Sequence, residues 1–293
     1  MRTPFREQWL GFAGLAAACA LVVIAFRGTF AEMARQWIES PTYQHGLLIL
    51  PVCVWLIWRQ RAAVAAAPLA PSLSLLPAVV ALAVIWMASE LARFSLGAQL
   101  AATAMLAIAP VVVLGREATR PIAFPLFFLI FAVPMGEELV PALMRYTADF
   151  AVMALVVTGV PVFRDGMVIS LPGADFEVVK ACSGIRYLLT AVVASTLFAY
   201  FTFASVARRV VFVAVSFLVA ILANGLRACV VMLAAHLSDY RFGLGVDHLV
   251  FGWVWFGVVM LALMAAGNRF SDRGERDRKS TRLNSSHRYR SRM

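Results

Sequence analysis

Charge is what this sequence has little of. Only 14% of its 293 residues are Asp, Glu, Lys or Arg, against about 25% in an ordinary soluble domain. Hydrophobic residues make up 62% and the mean hydropathy is +0.82. That balance excludes a soluble globular protein. It excludes a disordered chain as well, because disorder needs low hydrophobicity and high net charge. Internal repeats, low-complexity linkers and a separate soluble domain are also missing. No HExxH and no paired CxxC motif is present to support zinc.

Long apolar runs are there instead, at about 9 to 26, 46 to 58, 73 to 91, 96 to 114, 121 to 135, 182 to 203, 210 to 237 and 248 to 267. A ninth, 139 to 160, is ambiguous. At roughly 20 apolar residues per helical crossing the chain has room for seven to nine spans. The fold class read from this is all-α: one polytopic helix bundle over residues 1–267. Arg2 and Arg6 ahead of the first run give it the look of a signal peptide, but the spans that follow favour a retained helix.

The formal net charge of +10 suggests nucleic acid until its distribution is read. Nine Lys or Arg against three acids fall from Arg269 onward, so six of the ten net charges lie in the last 25 residues. The body carries no basic stripe of the nucleic-acid type. Residues 268–293 are expected to be a disordered basic tail; the stretch RKSTRLNSSH resembles translated vector sequence, a truncated C-terminus is one reading, and the tail is set aside.

Lys and Arg in short loops mark the cytoplasmic side of a membrane protein. With the N-terminus inside, Arg59/Arg61 and Arg116/Arg120 fall inside. Arg208/Arg209 and the basic end do so only if 139 to 160 does not cross. Eight spans with both termini inside are therefore expected. Glu138, Arg145 and Asp149 share one helical face, as suits a helix lying in the outer interface, ended by Gly159 and Pro161. The Asp165-Gly166 turn signal between β-prone runs predicts a hairpin. Together these form an external cap between residues 135 and 181.

This topology brings three distant polar residues to one depth. Cys182 opens an inward-running helix. Arg227 lies about 25 Å up an outward-running helix taken to start at Val210, at 1.5 Å per residue. His248 opens the last span from the outer side. Cys182 sits in KACSGIRY, where Lys180, Arg186 and the positive end of the helix favour the reactive thiolate. It is the best nucleophile in the chain, whereas Cys19, Cys53 and Cys229 read as structural thiols in apolar runs. A disulfide is not expected for those three, although an external compartment permits one at Cys182.

Arg227, in ILANGLRACVVML, occupies an otherwise apolar span. A central arginine there costs about 2.5–3.5 kcal/mol on the lenient insertion scale, so it needs a partner or a wet cavity. Asn224, three residues earlier, shares its face and is expected to orient it. Two readings stand: an arginine snorkelling to the interface, or a fixed cation for an oxyanion or carboxylate. His248, next to Asp247, is either a satisfied interfacial hydrogen-bonder or a proton shuttle.

Rival classes follow from other residues. His45 and His236 near the outer boundary, with His248 and an aspartate, would suit a metalloprotease. EELVPALMR begins with the Glu137-Glu138 diacid of glutamate-type intramembrane proteases, but its arginine is too far along for their EExxxR spacing. A non-enzymatic transporter or polysaccharide-export component would line a pathway with Arg227 and the acids. The polar residues gather at one surface instead of mid-membrane, and no half-interrupted spans suggest inverted repeats.

The combination of CSGIR at Cys182 to Arg186, NGLR at Asn224 to Arg227, the aspartyl-histidine pair ahead of the last span and SPTYQHG at Ser40 to Gly46 resembles the exosortase family. These are integral-membrane cysteine transpeptidases that process PEP-CTERM sorting signals; the resemblance covers most of residues 9 to 267. It implies a catalytic triad of Cys182, Arg227 and His248, and no cofactor or metal. It implies a substrate exported with a C-terminal Pro-Glu-Pro-type motif, one membrane helix and a basic end, cleaved through a thioester and passed to a cell-surface acceptor. Arg186, Lys180, Asn224, Asp247 and His45 are the candidate substrate-binding residues. The location implied is a bacterial inner membrane with the site facing the periplasm. Some exosortases carry a further periplasmic domain, of which nothing is seen in this sequence.

Overall fold

The computed structural model describes residues 4–239 and 246–271, with side chains over 11–239 and 250–271. The chain divides into two compact units, Met1–Met135 and Gly136–Met293.

In the first unit α1 (Pro4–Ala25) and α2 (Arg27–Glu39) form a pair bent by 79°. After α3 (Gly46–Arg59) and the short α4 (Arg61–Ala66) come α5 (Leu76–Leu91) and α6 (Ser95–Leu114). Small residues put α6 at the centre: Gly97, Ala98, Ala101, Ala102 and Ala109 are all buried, letting α1, α2 and α5 pack closely against it. By contrast α5 buries only Ser89 and exposes Leu76, Val80, Val84, Ile85 and Leu91, as a lipid-facing helix does.

The unit ends in short pieces: α7 (Arg116–Thr119), α8 (Ala123–Phe128) and flanking 3-10 turns. The run at 121 to 135, expected to be a span, is therefore not a helix of membrane length. Pro121, Pro125 and Pro134 lie along it, and each removes a backbone donor and crowds the preceding turn. Likewise α3 has 14 residues, about 21 Å at 1.5 Å per residue, short of a ~30 Å hydrocarbon core.

The second unit is built from four helices and a sheet. The run at 139 to 160 becomes α9 (Val140–Val157), a helix as long and apolar as the spans. A three-stranded antiparallel sheet follows: β1 (Phe163–Asp165), β2 (Val168–Leu171) and β3 (Ala174–Glu177). The expected hairpin is its first half: Asp165 pairs with Val168 and Gly166 turns the chain at φ +58°. Its third strand was not anticipated. Ile169, Leu171 and Val178 pack on Ala148, Ala151 and Leu155 of α9 and on Cys229 and Met232 further along, so the sheet is seated on helices and not free.

The last three helices are α10 (Ile185–Thr202), α11 (Val206–Leu237) and α12 (Val246–Arg269). With 32 residues, α11 is about 48 Å long, well over the hydrocarbon thickness. It begins at Val206 and not at Val210. Seven of its buried positions, Phe212, Ser216, Ala220, Asn224, Arg227, Val231 and Ala235, recur every three or four residues. One stripe thus faces α9, α10 and α12.

Among the described residues six helices are long and apolar enough to cross a membrane, or seven if the bent α1–α2 pair is one span. The protein is all-α, polytopic and multi-pass, with one small sheet.

Candidate active site

Cys182 does not lie in a helix. It lies in a four-residue 3-10 turn, Lys180–Ser183, whose Cys182 N–H donates to the Val179 carbonyl at 2.8 Å. Gly184 ends the turn in the left-handed region, φ +78°, and α10 starts one residue later. There the Ile185 N–H donates to Ser183 Oγ at 3.3 Å, and the Leu188 N–H to the Gly184 carbonyl at 2.9 Å. The thiol is half-buried at the edge of the cluster under the sheet.

What fastens the turn comes from elsewhere in the chain. Asn224 is buried on the α11 stripe, and its Nδ2 donates both to the Cys182 carbonyl and to Thr147 Oγ1 on α9, each at 3.0 Å. Gly184 presses on the same amide: a Cβ at that glycine would stand 2.3 Å from Asn224 Cγ. One residue along α11, Gly225 lets the helix come close to α9, since a Cβ there would meet the Phe150 ring at 2.8 Å. Two glycines therefore bring the Asn224 amide within reach of both partners. Asn224 was expected to orient Arg227, and this is corrected: its amide hydrogens point to Cys182 and Thr147, and among the described residues its Oδ1 accepts no hydrogen bond.

Arg227 follows one turn further on, 6% exposed. Its guanidinium stands over the Tyr187 ring at 5.3 Å, a cation–π arrangement that partly compensates a desolvated cation. The Tyr187 ring in turn lies 5.0 Å from Phe256 of α12. Gly252 leaves the room for this: a Cβ there would be 2.6 Å from the Tyr187 hydroxyl and 3.0 Å from Arg227 Nη2. Trp255 Nε1 donates to the Ala223 carbonyl at 2.9 Å and ties α12 to α11 at that level. Three helices thus meet around the arginine, which is held inside the unit and does not snorkel. A cavity with room for about one water lies beside it, walled mostly by apolar side chains but touched by Asn224, Tyr187 and Ser216.

Lys180 is exposed and forms an ion pair with Glu137, so the first acid of EELVPALMR neighbours the cysteine turn. Glu138 is exposed beside it. Arg186 is half-buried in the first turn of α10. Arg164 of β1 pairs with Asp149 of α9, latching sheet to helix. Asp247 and His248 fall on the first turn of α12, and their side chains lie outside the described residues. The tail from residue 272 also lies outside them.

His45 belongs to the first unit, at the N-cap position of α3, where its side chain makes no capping hydrogen bond. Burial pushes its imidazole below the usual pKa, against a pull upward from the backbone at Thr42 and Phe131. His236 is half-buried in the last turn of α11. Among the described residues no three His, Cys, Asp or Glu side chains gather as metal ligands. Of the remaining cysteines Cys53 and Cys229 are buried, Cys19 is half-buried, and Cys53 Sγ donates to the Pro125 carbonyl at 3.3 Å.

Thr147, Tyr187 and Gly252 escaped the sequence reading. Thr147 sits between Arg145 and Asp149 on what looked like a polar face, and nothing in the sequence pairs it with Asn224. Tyr187 directly follows the CSGIR motif, and this adjacency was the one available signal.

Residues 37–265 match the transmembrane exosortase family. That is most of the chain and spans both the cysteine turn and the NGLR segment, so the chain belongs to this family. Membership carries a membrane-embedded, transpeptidase- or protease-like role. No curated protein and no solved structure matches the chain.

Proposed function

We propose that the protein is a cysteine transpeptidase of the membrane, which cleaves C-terminal sorting signals of exported proteins and transfers them to a surface acceptor. The observation that carries this reading is the seating of Cys182. It occupies a turn at the mouth of a candidate span, fixed by a hydrogen bond from the helix that also bears Arg227. A buried structural thiol needs no such support.

In the proposed reaction His248 takes the thiol proton and the Cys182 sulfur attacks a backbone carbonyl near the Pro-Glu-Pro-type motif. Arg227 offsets the charge that develops on the carbonyl oxygen. The C–N bond breaks, His248 gives its proton to the departing amine, and a thioester remains. An external amine or water then attacks the thioester and regenerates the thiol. A substrate anchored by its own membrane helix, basic end inside, presents the motif at the outer face without a bimolecular search. Arg186 is available to the motif glutamate. Lys180 is so only by exchanging its Glu137 partner, and both are exposed enough for that exchange.

The test is processing of a tagged, tethered substrate in cells. Cys182→Ala and Cys182→Ser are expected to abolish cleavage while the protein still accumulates in the membrane. Cleavage that persists in either variant rejects Cys182 as the nucleophile. Loss of activity to a chelator but not to a thiol alkylating agent would point to a metalloprotease instead.

A further inference from the structure

We propose that Asn224 is a positioning residue that sets the reach from the Cys182 thiol to Arg227, using Thr147 as its anchor; this rests on Cys182 being the nucleophile. The cysteine turn is held from outside itself. Four residues in 3-10 form, closed by a left-handed glycine, hold few internal hydrogen bonds, one of them from the Cys182 N–H to the Val179 carbonyl. The bond from Asn224 Nδ2 to the Cys182 carbonyl supplies the missing constraint at the reactive residue's own peptide.

The orientation of that amide follows from its partners. A backbone carbonyl only accepts, so the NH2 group must face Cys182. Its second hydrogen goes to Thr147 Oγ1, and Thr147 and Asn224 are 1% and 6% exposed. The amide is thus clamped from α9 and pressed by Gly184 from the turn, with no free rotamer left to it.

Spacing gives the arrangement its consequence. Asn224 and Arg227 are three residues apart on one buried stripe, so the residue that holds the Cys182 carbonyl and the residue that bears the cation are separated by about 4.5 Å of helical rise. The place of the Cys182 peptide relative to the Arg227 backbone is therefore tied to one turn of α11 and is not left to the cysteine turn alone. Misplacing a reacting group by about 1 Å can cost on the order of a hundredfold in rate. Asn224 touches neither substrate nor the reacting sulfur; it acts through the peptide of Cys182.

The experiment uses the full chain in detergent or nanodiscs with a tethered substrate, comparing Asn224→Ala, Asn224→Asp, Thr147→Val and Thr147→Ser. Asn224→Ala and Asn224→Asp are expected to lower kcat about a hundredfold with KM within about twofold. Thr147→Val should lower kcat about tenfold, and Thr147→Ser, which keeps the hydroxyl, should restore most of that. A raised KM with kcat retained would make Asn224 a substrate-binding residue and overturn the proposal. So would wild-type kcat in Asn224→Ala, or failure of Thr147→Ser to recover what Thr147→Val loses. If Asn224→Ala does not accumulate, the Thr147 pair decides alone. Cys182→Ala run alongside separates the two readings. An inactive Cys182→Ala beside a fully active Asn224→Ala removes only the positioning role, whereas an active Cys182→Ala removes the nucleophile itself.

Discussion

Gly184 and Gly159 share nearly the same φ, +78° and +79°, but have different surroundings. A Cβ at Gly159 meets nothing within 4 Å, while one at Gly184 runs into the Asn224 amide. Gly159→Ala is expected to cost only the left-handed penalty, about 1–2 kcal/mol, with processing intact. Gly184→Ala adds a collision that must displace either Asn224 or the cysteine turn, and it should lose processing as well as stability. Thermal unfolding and cleavage measured on both variants check this, and equal behaviour of the two would contradict the close packing assigned to Gly184. Cys182 itself was legible from its charged neighbours, and Arg227 from its cost in an apolar run. The purpose of Asn224 was not. Local spacing linked it to Arg227, three residues away, while its partners are 42 and 77 residues distant. A hydrogen bond closed across three elements leaves no trace in local pattern.

Among the elements, those whose hydrophobicity is continuous were read correctly from sequence: α5, α6, α10, α11 and α12 lie close to the runs that announced them. The run at 121 to 135 failed because mean hydropathy does not register that prolines break a helix into single turns. The third strand, Ala174–Glu177, failed because its exposure alternates over only four residues, and ADFE carries a weak strand signature. The placement of α9 is where positive-inside reasoning and helix length pull apart. Arg208, Arg209 and the basic end favour a helix lying in the outer interface, with the sheet outside. Ser205→Cys, in the connection between α10 and α11, and Asp175→Cys, exposed on β3, check it. A membrane-impermeant maleimide applied to spheroplasts is expected to label the cysteine at 175 and to leave the one at 205 unlabelled until the membrane is opened. Labelling of 205 in intact spheroplasts would reverse the orientation.

For the molecule as a whole, family membership and the composition agree on a multi-pass membrane enzyme, and the second unit holds the cysteine turn, Asn224 and Arg227 within one packed set of helices. Sequence reading reached this far because a cysteine among charged residues and an arginine in an apolar run are both conspicuous against a background that is 62% hydrophobic. It could not reach the supporting contacts, which exist only once α9, α10, α11 and α12 pack. With Cys182 as the nucleophile proposed above, an acyl group passes through its sulfur during turnover. The most direct measurement is peptide mass spectrometry of the full-length protein, quenched in acid during turnover of a tethered sorting-signal substrate. The account predicts a Cys182 peptide heavier by the acyl portion of the substrate and released by neutral hydroxylamine. Complete cleavage with the Cys182 peptide at its unmodified mass at every time sampled, and no accumulation when acceptor amines are withheld, would contradict it.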